Sequence, residues 1–263
     1  TEGETKMGDI RNIPDHEIRN GVYSMRAEGP SLYKPMNNSD EEFYCYNASK
    51  LMMEGRYAEA EEEYKFAITL GYRKAVMHYA TALDMGWIGR QDSELAMMLY
   101  RDLAYKGYPI AMYNYGMMLS LGRGVKKNLK RAAMWNDRAA DAGLDIAMTQ
   151  KAIRLAYLCD SPDYKSAFEL FSRAAALGDE TAMYQIGRFY QKGLHVEQDY
   201  EKAAEWFQKA VENGEGCFAE LSLAKCYYAG KGVQKDEVKA RELLSQAIEH
   251  GLPEELYPDW CEH

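Results

Sequence analysis

A glycine followed by a small-residue position recurs along this chain at almost constant spacing. Gly71 leads to Ala75, Gly107 to Ala111, Gly143 to Ala147 and Gly178 to Ala182, each four residues on, and Gly214 leads to Ala219 with one extra residue. Successive alanines stand 36, 36, 35 and 37 residues apart. A register held through five units indicates a repeat array, in which each unit buries its apolar face mainly against its neighbours.

Every unit shows the same internal pattern. Four residues after the leading alanine stands Tyr79, Tyr115, Ile186 or Leu223. Five after it stands a small residue: Ala80, Gly116, Ala152, Gly187 or Ala224. Eight after it stands Leu83, Leu119, Leu155, Tyr190 or Tyr227. Offsets of four and eight share one face of an α-helix. The small residue predicts close approach of a partner helix, because axis separation follows the side chains at the contact. Glycine inside a helix costs about 1 kcal/mol relative to alanine, so Gly116 and Gly187 imply a packing return.

A second helix follows, marked by Ala96, Ala132, Ala167, Ala203 and Ala240. Three residues further stands Leu99, Trp135, Leu170, Trp206 or Leu243, and four beyond that Leu103, Ala139, Ala174, Ala210 or Ala247. This is an amphipathic stripe, closed by a glycine suited to a left-handed cap. Turns such as Gly122-Arg123-Gly124-Val125 and Gly230-Lys231-Gly232-Val233 join the two helices. An earlier unit, built on Gly55, Tyr57, Ala60, Tyr64 and Ala67, predicts helices over 41–53 and 57–70. The expected fold is all-α: a right-handed α-α superhelix, or solenoid, of about six helix-turn-helix repeats over residues 41–251.

Unit 182–214 carries Ala182, Ile186, Gly187, Tyr190, Gly193, Lys202, Ala203, Trp206, Ala210 and Gly214. This pattern resembles the Sel-one-like repeat (SLR), and the first unit is closer to the related tetratricopeptide repeat. The resemblance implies adaptors in protein complexes. Two units depart from it. Unit 147–178 has Lys151 at an apolar position and Cys159-Asp160-Ser161-Pro162 in place of the glycine turn, and unit 75–107 has Met85-Gly86-Trp87-Ile88-Gly89. Some secreted relatives carry a cysteine pair in each repeat. Here Cys217 fits one such position but Val211 stands near the other, so the disulfide-laced variant and its penicillin-binding activity are not supported.

Composition narrows the function. A net charge of −9 and one loop-borne basic cluster, Arg123, Lys126, Lys127, Lys130 and Arg131, give no basic face for nucleic acid. Five scattered cysteines form no disulfide framework or zinc motif, and no cofactor or metal is expected. No apolar run reaches membrane-spanning length, and residues 1–30 lack the apolar core of a signal peptide. A cytoplasmic location is expected. His16, His78, His195, His250 and His263 neighbour no nucleophile motif, so the chain is not expected to be an enzyme.

The expected function is therefore a scaffold or adaptor that holds a protein or peptide segment in its concave groove. By analogy with tetratricopeptide geometry, the wall comprises Met77, Met85, Tyr113, Met117, Leu121, Tyr157, Tyr184, Arg188, Lys192, Lys225 and Tyr228. Tyrosine and arginine are common hot-spot residues, and methionine surfaces adapt to varied partners. The alternatives are an immunity-type antagonist of one protein toxin and, more remotely, a hydrolase of cell-wall or β-lactam substrates. Residues 1–40 read as an extended or mobile arm. Part of 21–36 is expected to pack on the array or self-associate with a neighbouring copy, and residues 252–263 to form a C-terminal cap.

Overall fold

The computed structural model describes residues 40–214 and 216–262. The arm expected over 1–40, with its docking segment 21–36, lies outside them except for Asp40, which opens the first helix. Twelve α-helices follow in six pairs: α1 (Asp40–Met53) with α2 (Tyr57–Thr69), α3 (Arg73–Met85) with α4 (Ser93–Tyr105), and α5 (Pro109–Leu121) with α6 (Leu129–Asp141). The remaining pairs are α7 (Asp145–Ile153) with α8 (Tyr164–Ala176), α9 (Glu180–Lys192) with α10 (Tyr200–Glu212), and α11 (Cys217–Ala229) with α12 (Glu237–Glu249). The all-α helix-pair repeat read from the sequence is thus the observed fold class. Helices of 13 residues are marginal alone in water, so packing must stabilise them.

That packing follows the repeat grammar. The leading alanines Ala75, Ala111, Ala147, Ala182 and Ala219 are all fully buried, and the second-helix markers Ala96, Ala132, Ala167, Ala203 and Ala240 are at most 3% exposed. Each second helix of the last five pairs begins at a residue the repeat pattern had not singled out: Asp92, Asn128, Asp163, Asp199 or Asp236. Its side chain accepts the N–H of the third helical residue at 2.9–3.0 Å. Such a cap satisfies an otherwise orphaned N–H. The same residue's N–H donates to the carbonyl of Leu83, Leu119, Leu155, Tyr190 or Tyr227, closing the turn at 2.8–3.0 Å. In the divergent unit this closure joins residues eight apart instead of nine. There the first helix ends in a π-turn over Arg154–Leu158, and the half-exposed Lys151 pairs with Asp141 at 2.7 Å.

The second glycine of the turn is required by close approach. A Cβ on Gly124 would lie 2.0 Å from the Ser93 carbonyl oxygen, and one on Gly232 would lie 1.9 Å from that of Tyr200. Ser93 and Tyr200 each begin the second helix of the preceding pair. In the turn after α9 this position is His195, which holds φ 62° without being glycine and sets its ring 6.0 Å from Phe168.

The described chain divides into two compact units, with the boundary between Trp135 and Asn136 inside α6. In the first unit, Tyr64, Leu83, Leu103 and Leu119 are buried, and Trp135 meets Tyr105 and Tyr115 edge-on at 5.1 and 5.5 Å. In the second, Phe171, Phe189 and Phe207 are fully buried. Leu252, Tyr257 and Trp260 pack against the core of its last two helix pairs. Cys159 and Cys226 are free thiols.

Candidate partner-binding surfaces

In the first unit, Thr81, Asp84 and Met85 of α3, Tyr100 of α4, and Asn114, Met117, Met118 and Leu121 of α5 enclose a cavity of about 290 Å³ with Arg123 of the following turn. Its floor is apolar because Tyr100 and Met118 are 3% exposed. Tyr100 and Thr81 share a 2.7 Å hydrogen bond between hydroxyls, which satisfies both groups away from water. The rim is wet and apolar: Met85 is 41% exposed and Leu121 58%.

Asp84 organises the polar side of this cavity. Ser93 Oγ donates to its Oδ1 at 3.0 Å, and Arg123 Nη2 donates to its backbone carbonyl at 2.8 Å and lies 3.2 Å from the carboxylate. Burial raises the Asp84 pKa, while Arg123 and Ser93 oppose that shift. The pair fixes Arg123 at the mouth and leaves the methionines and Leu121 as the adaptable part of the wall.

The second unit presents a different surface. Tyr184, Arg188 and Lys192 follow one another at four-residue intervals on α9, so they share a face. Tyr157, in the π-turn, meets that face. The Arg188 guanidinium lies 5.1 Å from the centre of the Tyr157 ring and 5.8 Å from that of Tyr184, within cation–π range. Gln185 Oε1 accepts from Tyr157 OH at 3.1 Å and from Arg188 Nη1 at 3.2 Å. Burial pushes the Tyr157 phenol up, so it remains a neutral donor. Tyr157, Tyr184 and Arg188 are half-buried and Lys192 is exposed.

The other residues expected on the wall are distributed unevenly. Met77 and Tyr113 are 2% and 3% exposed, so neither offers a free face. Met117 is half-buried and Lys225 exposed. Tyr228 is stacked on Trp260 at 4.4 Å with the rings 10° apart, so the C-terminal segment already occupies one of its faces. Arg123 and Gln185 organise these surfaces but were absent from the sequence-derived wall, whereas Asp84, nine residues after Ala75, falls on it by helical offset. Their signal was weak, since a single polar residue has no periodicity.

Comparison with known proteins places this geometry in context. The Sel1 repeat profile matches residues 74–108, 109–144, 152–179, 181–215 and 218–252. The structure of a Sel1 repeat protein from Oxalobacter formigenes superposes with a TM-score of 0.71 at 27% identity, covering 79% of this chain and 84% of that one. An immunity protein from Pseudomonas aeruginosa shares the fold with a TM-score of 0.54 at 22% identity, covering 84% and 86%. The ERAD-associated E3 ubiquitin-protein ligase component HRD3B of Arabidopsis thaliana is 29% identical over 116 residues, 44% of this chain. The match spans only 18% of that relative's length.

Proposed function

The chain belongs to the Sel1 repeat family, and on that premise we propose that it is a binding scaffold that holds a segment of a partner protein on the first-helix surfaces described above. Sel1 repeats generally mediate protein–protein interaction. The observation that carries the finer reading is the Tyr157–Gln185–Arg188 cluster with Tyr184. It combines two aromatic rings and a guanidinium, held by hydrogen bonds yet partly open to solvent. Preorganised Tyr and Arg groups lose little side-chain freedom on binding, and truncating such residues at hot spots typically costs about 2 kcal/mol or more.

The test is capture of a stoichiometric protein partner from the native source, followed by titration against a variant with Tyr157→Ala, Tyr184→Ala and Arg188→Ala together. Tyr113 is left intact because its burial would turn the experiment into one on folding. A loss of about thirtyfold or more in affinity supports the surface, as expected for a ~2 kcal/mol hot spot. Unchanged affinity rejects it.

An antagonist of one protein toxin is the alternative, and the likeness to the immunity protein extends to fold alone. Co-expression with a neighbouring toxic gene separates the two readings: protection of the host cell favours the antagonist. The hydrolase reading is removed if a reactive acyl probe labels no residue stoichiometrically.

A further inference from the structure

The wall of the first unit neutralises its arginine, and the wall of the second does not. Arg123 in the first unit lies 3.2 Å from the Asp84 carboxylate. In the second unit Arg188, Lys192 and Lys225 meet no carboxylate within ion-pair distance among the described residues. Arg188 and Lys225 hold the same repeat position, six residues after Ala182 and Ala219. Each stands one helical turn beyond Tyr184 or Leu221, and Tyr184 packs against the core cluster to which Leu221 belongs. Helical periodicity therefore carries both cations on one side of this unit.

The two helices bring little negative charge of their own. α9 carries one acidic residue, Glu180, and α11 one, Glu220, each in the first turn. Glu220 is 4% exposed, and its oxygens stand 2.9 and 3.0 Å from His250 Nδ1. In a chain of net charge −9, this face is a local reversal of sign. Arg188 is also prepared to hold an anion. Its guanidinium rests against Tyr157 and Tyr184, and the buried Gln185 accepts from one of its five N–H groups. The remaining donors keep the planar fork that matches a carboxylate through two parallel bonds.

Resting on the scaffold reading above, we propose that the partner segment held on the second unit is acidic. It is an extended stretch of pattern Asp/Glu-x-Asp/Glu whose carboxylates are received by Arg188 and Lys192, with a further one at Lys225. The spacing selects this pattern. Arg188 and Lys192 are four residues apart on α9, about 6 Å along the helix axis. Alternate side chains of an extended peptide stand about 6.6 Å apart. Charge selects it as well: an acidic stretch is repelled by the rest of this acidic chain and attracted here, which fixes where it docks.

The test is selection of random dodecapeptides displayed on phage against the full chain, followed by titration of a synthesised winner. Winners are expected to be enriched in Asp/Glu-x-Asp/Glu. Arg188→Gln with Lys192→Gln should weaken a winner about tenfold or more, with the helical circular dichroism and melting temperature unchanged. Raising NaCl from about 50 mM to about 0.5 M should weaken it similarly. Arg188→Lys should recover only part of the loss, because an ammonium lacks the fork. Exchanging the peptide's Asp/Glu for Asn/Gln should cost affinity in the unaltered protein and little in the double variant. Winners without acidic pairs, or affinity indifferent to the charge substitutions and to salt, overturn the acidic class. If those winners still weaken with Tyr157→Ala and Tyr184→Ala, the scaffold reading stands without it. A phosphoserine peptide that binds more than about tenfold tighter than its glutamate counterpart also overturns the carboxylate assignment. Selection that yields no binder overturns the proposal, while capture of a native partner tests the scaffold reading separately.

Discussion

Gly187 of α9 lies against the ring of Phe207 of α10. A Cβ on Gly187 would stand 2.6 Å from two ring carbons and 3.2 Å from the Ala203 carbonyl oxygen. The ring is fully buried and the carbonyl belongs to a helix, so neither has room to retreat. Overpacking costs about 1–3 kcal/mol, against about 1 kcal/mol of helix propensity regained by alanine. Gly187→Ala should therefore lower stability by roughly 1 kcal/mol, read as a lower urea midpoint at constant slope. In a Phe207→Leu background the same change should cost less or stabilise.

The turn position occupied by Gly124, His195 and Gly232 gives a reciprocal prediction. His195→Gly releases left-handed strain of about 1–2 kcal/mol but adds about 0.5–1 kcal/mol of unfolded-chain entropy. It should stay within ~1 kcal/mol of the unaltered protein. Gly232→His places a Cβ where the Tyr200 carbonyl already stands, and should lose more than about 2 kcal/mol. Equal effects in thermal melts would show that the two turns do not share this constraint.

Asp179 caps α9, accepting the Ala182 N–H at 2.6 Å and the Thr149 hydroxyl at 3.0 Å. Burial raises its pKa from 3.8 to about 6, with Glu180 and Asp145 adding to the rise. Between these values the folded state holds a proton that the unfolded chain has released, so this group makes stability fall as pH rises through that window. Asp179→Asn keeps an acceptor for both donors and removes the titration. The variant should gain on the unaltered protein as pH rises from about 4 to 6, by up to ~2 kcal/mol. Reading the difference between the two proteins cancels other groups, including His78, whose pKa burial lowers to about 4. A pH-independent difference would refute the assignment.

Trp260 stacks on Tyr228 while Leu252 is 4% exposed in the same end cluster. Trp260→Ala removes an aromatic pair worth about 0.5–1.5 kcal/mol beyond its area and uncovers the last helix pair. Amide exchange should accelerate in α11 and α12 before it does in α9. Uniform acceleration across the second unit would instead mean that the segment contributes to the whole unit's stability and is not a local cap.

The sequence alone determined the helix pairs, their period and the small residues between them. These properties are local or repeat at fixed spacing: Ala75 and Ala111 reveal the same buried stripe, and Gly187 signals a close neighbour before that neighbour is known. The tertiary structure decided which wall residues remain available. Met77 and Tyr113 are enclosed, Tyr228 gives one face to Trp260, and Tyr157 meets Arg188 through a π-turn in the unit with the shorter loop. It also brought Arg123 to Asp84 at the wall of one cavity, with Ser93 donating to the Asp84 carboxylate. Helical periodicity sets the side of the helix from which a residue projects. Whether that residue is then covered depends on side chains about thirty or more positions away, and no local pattern encodes their approach.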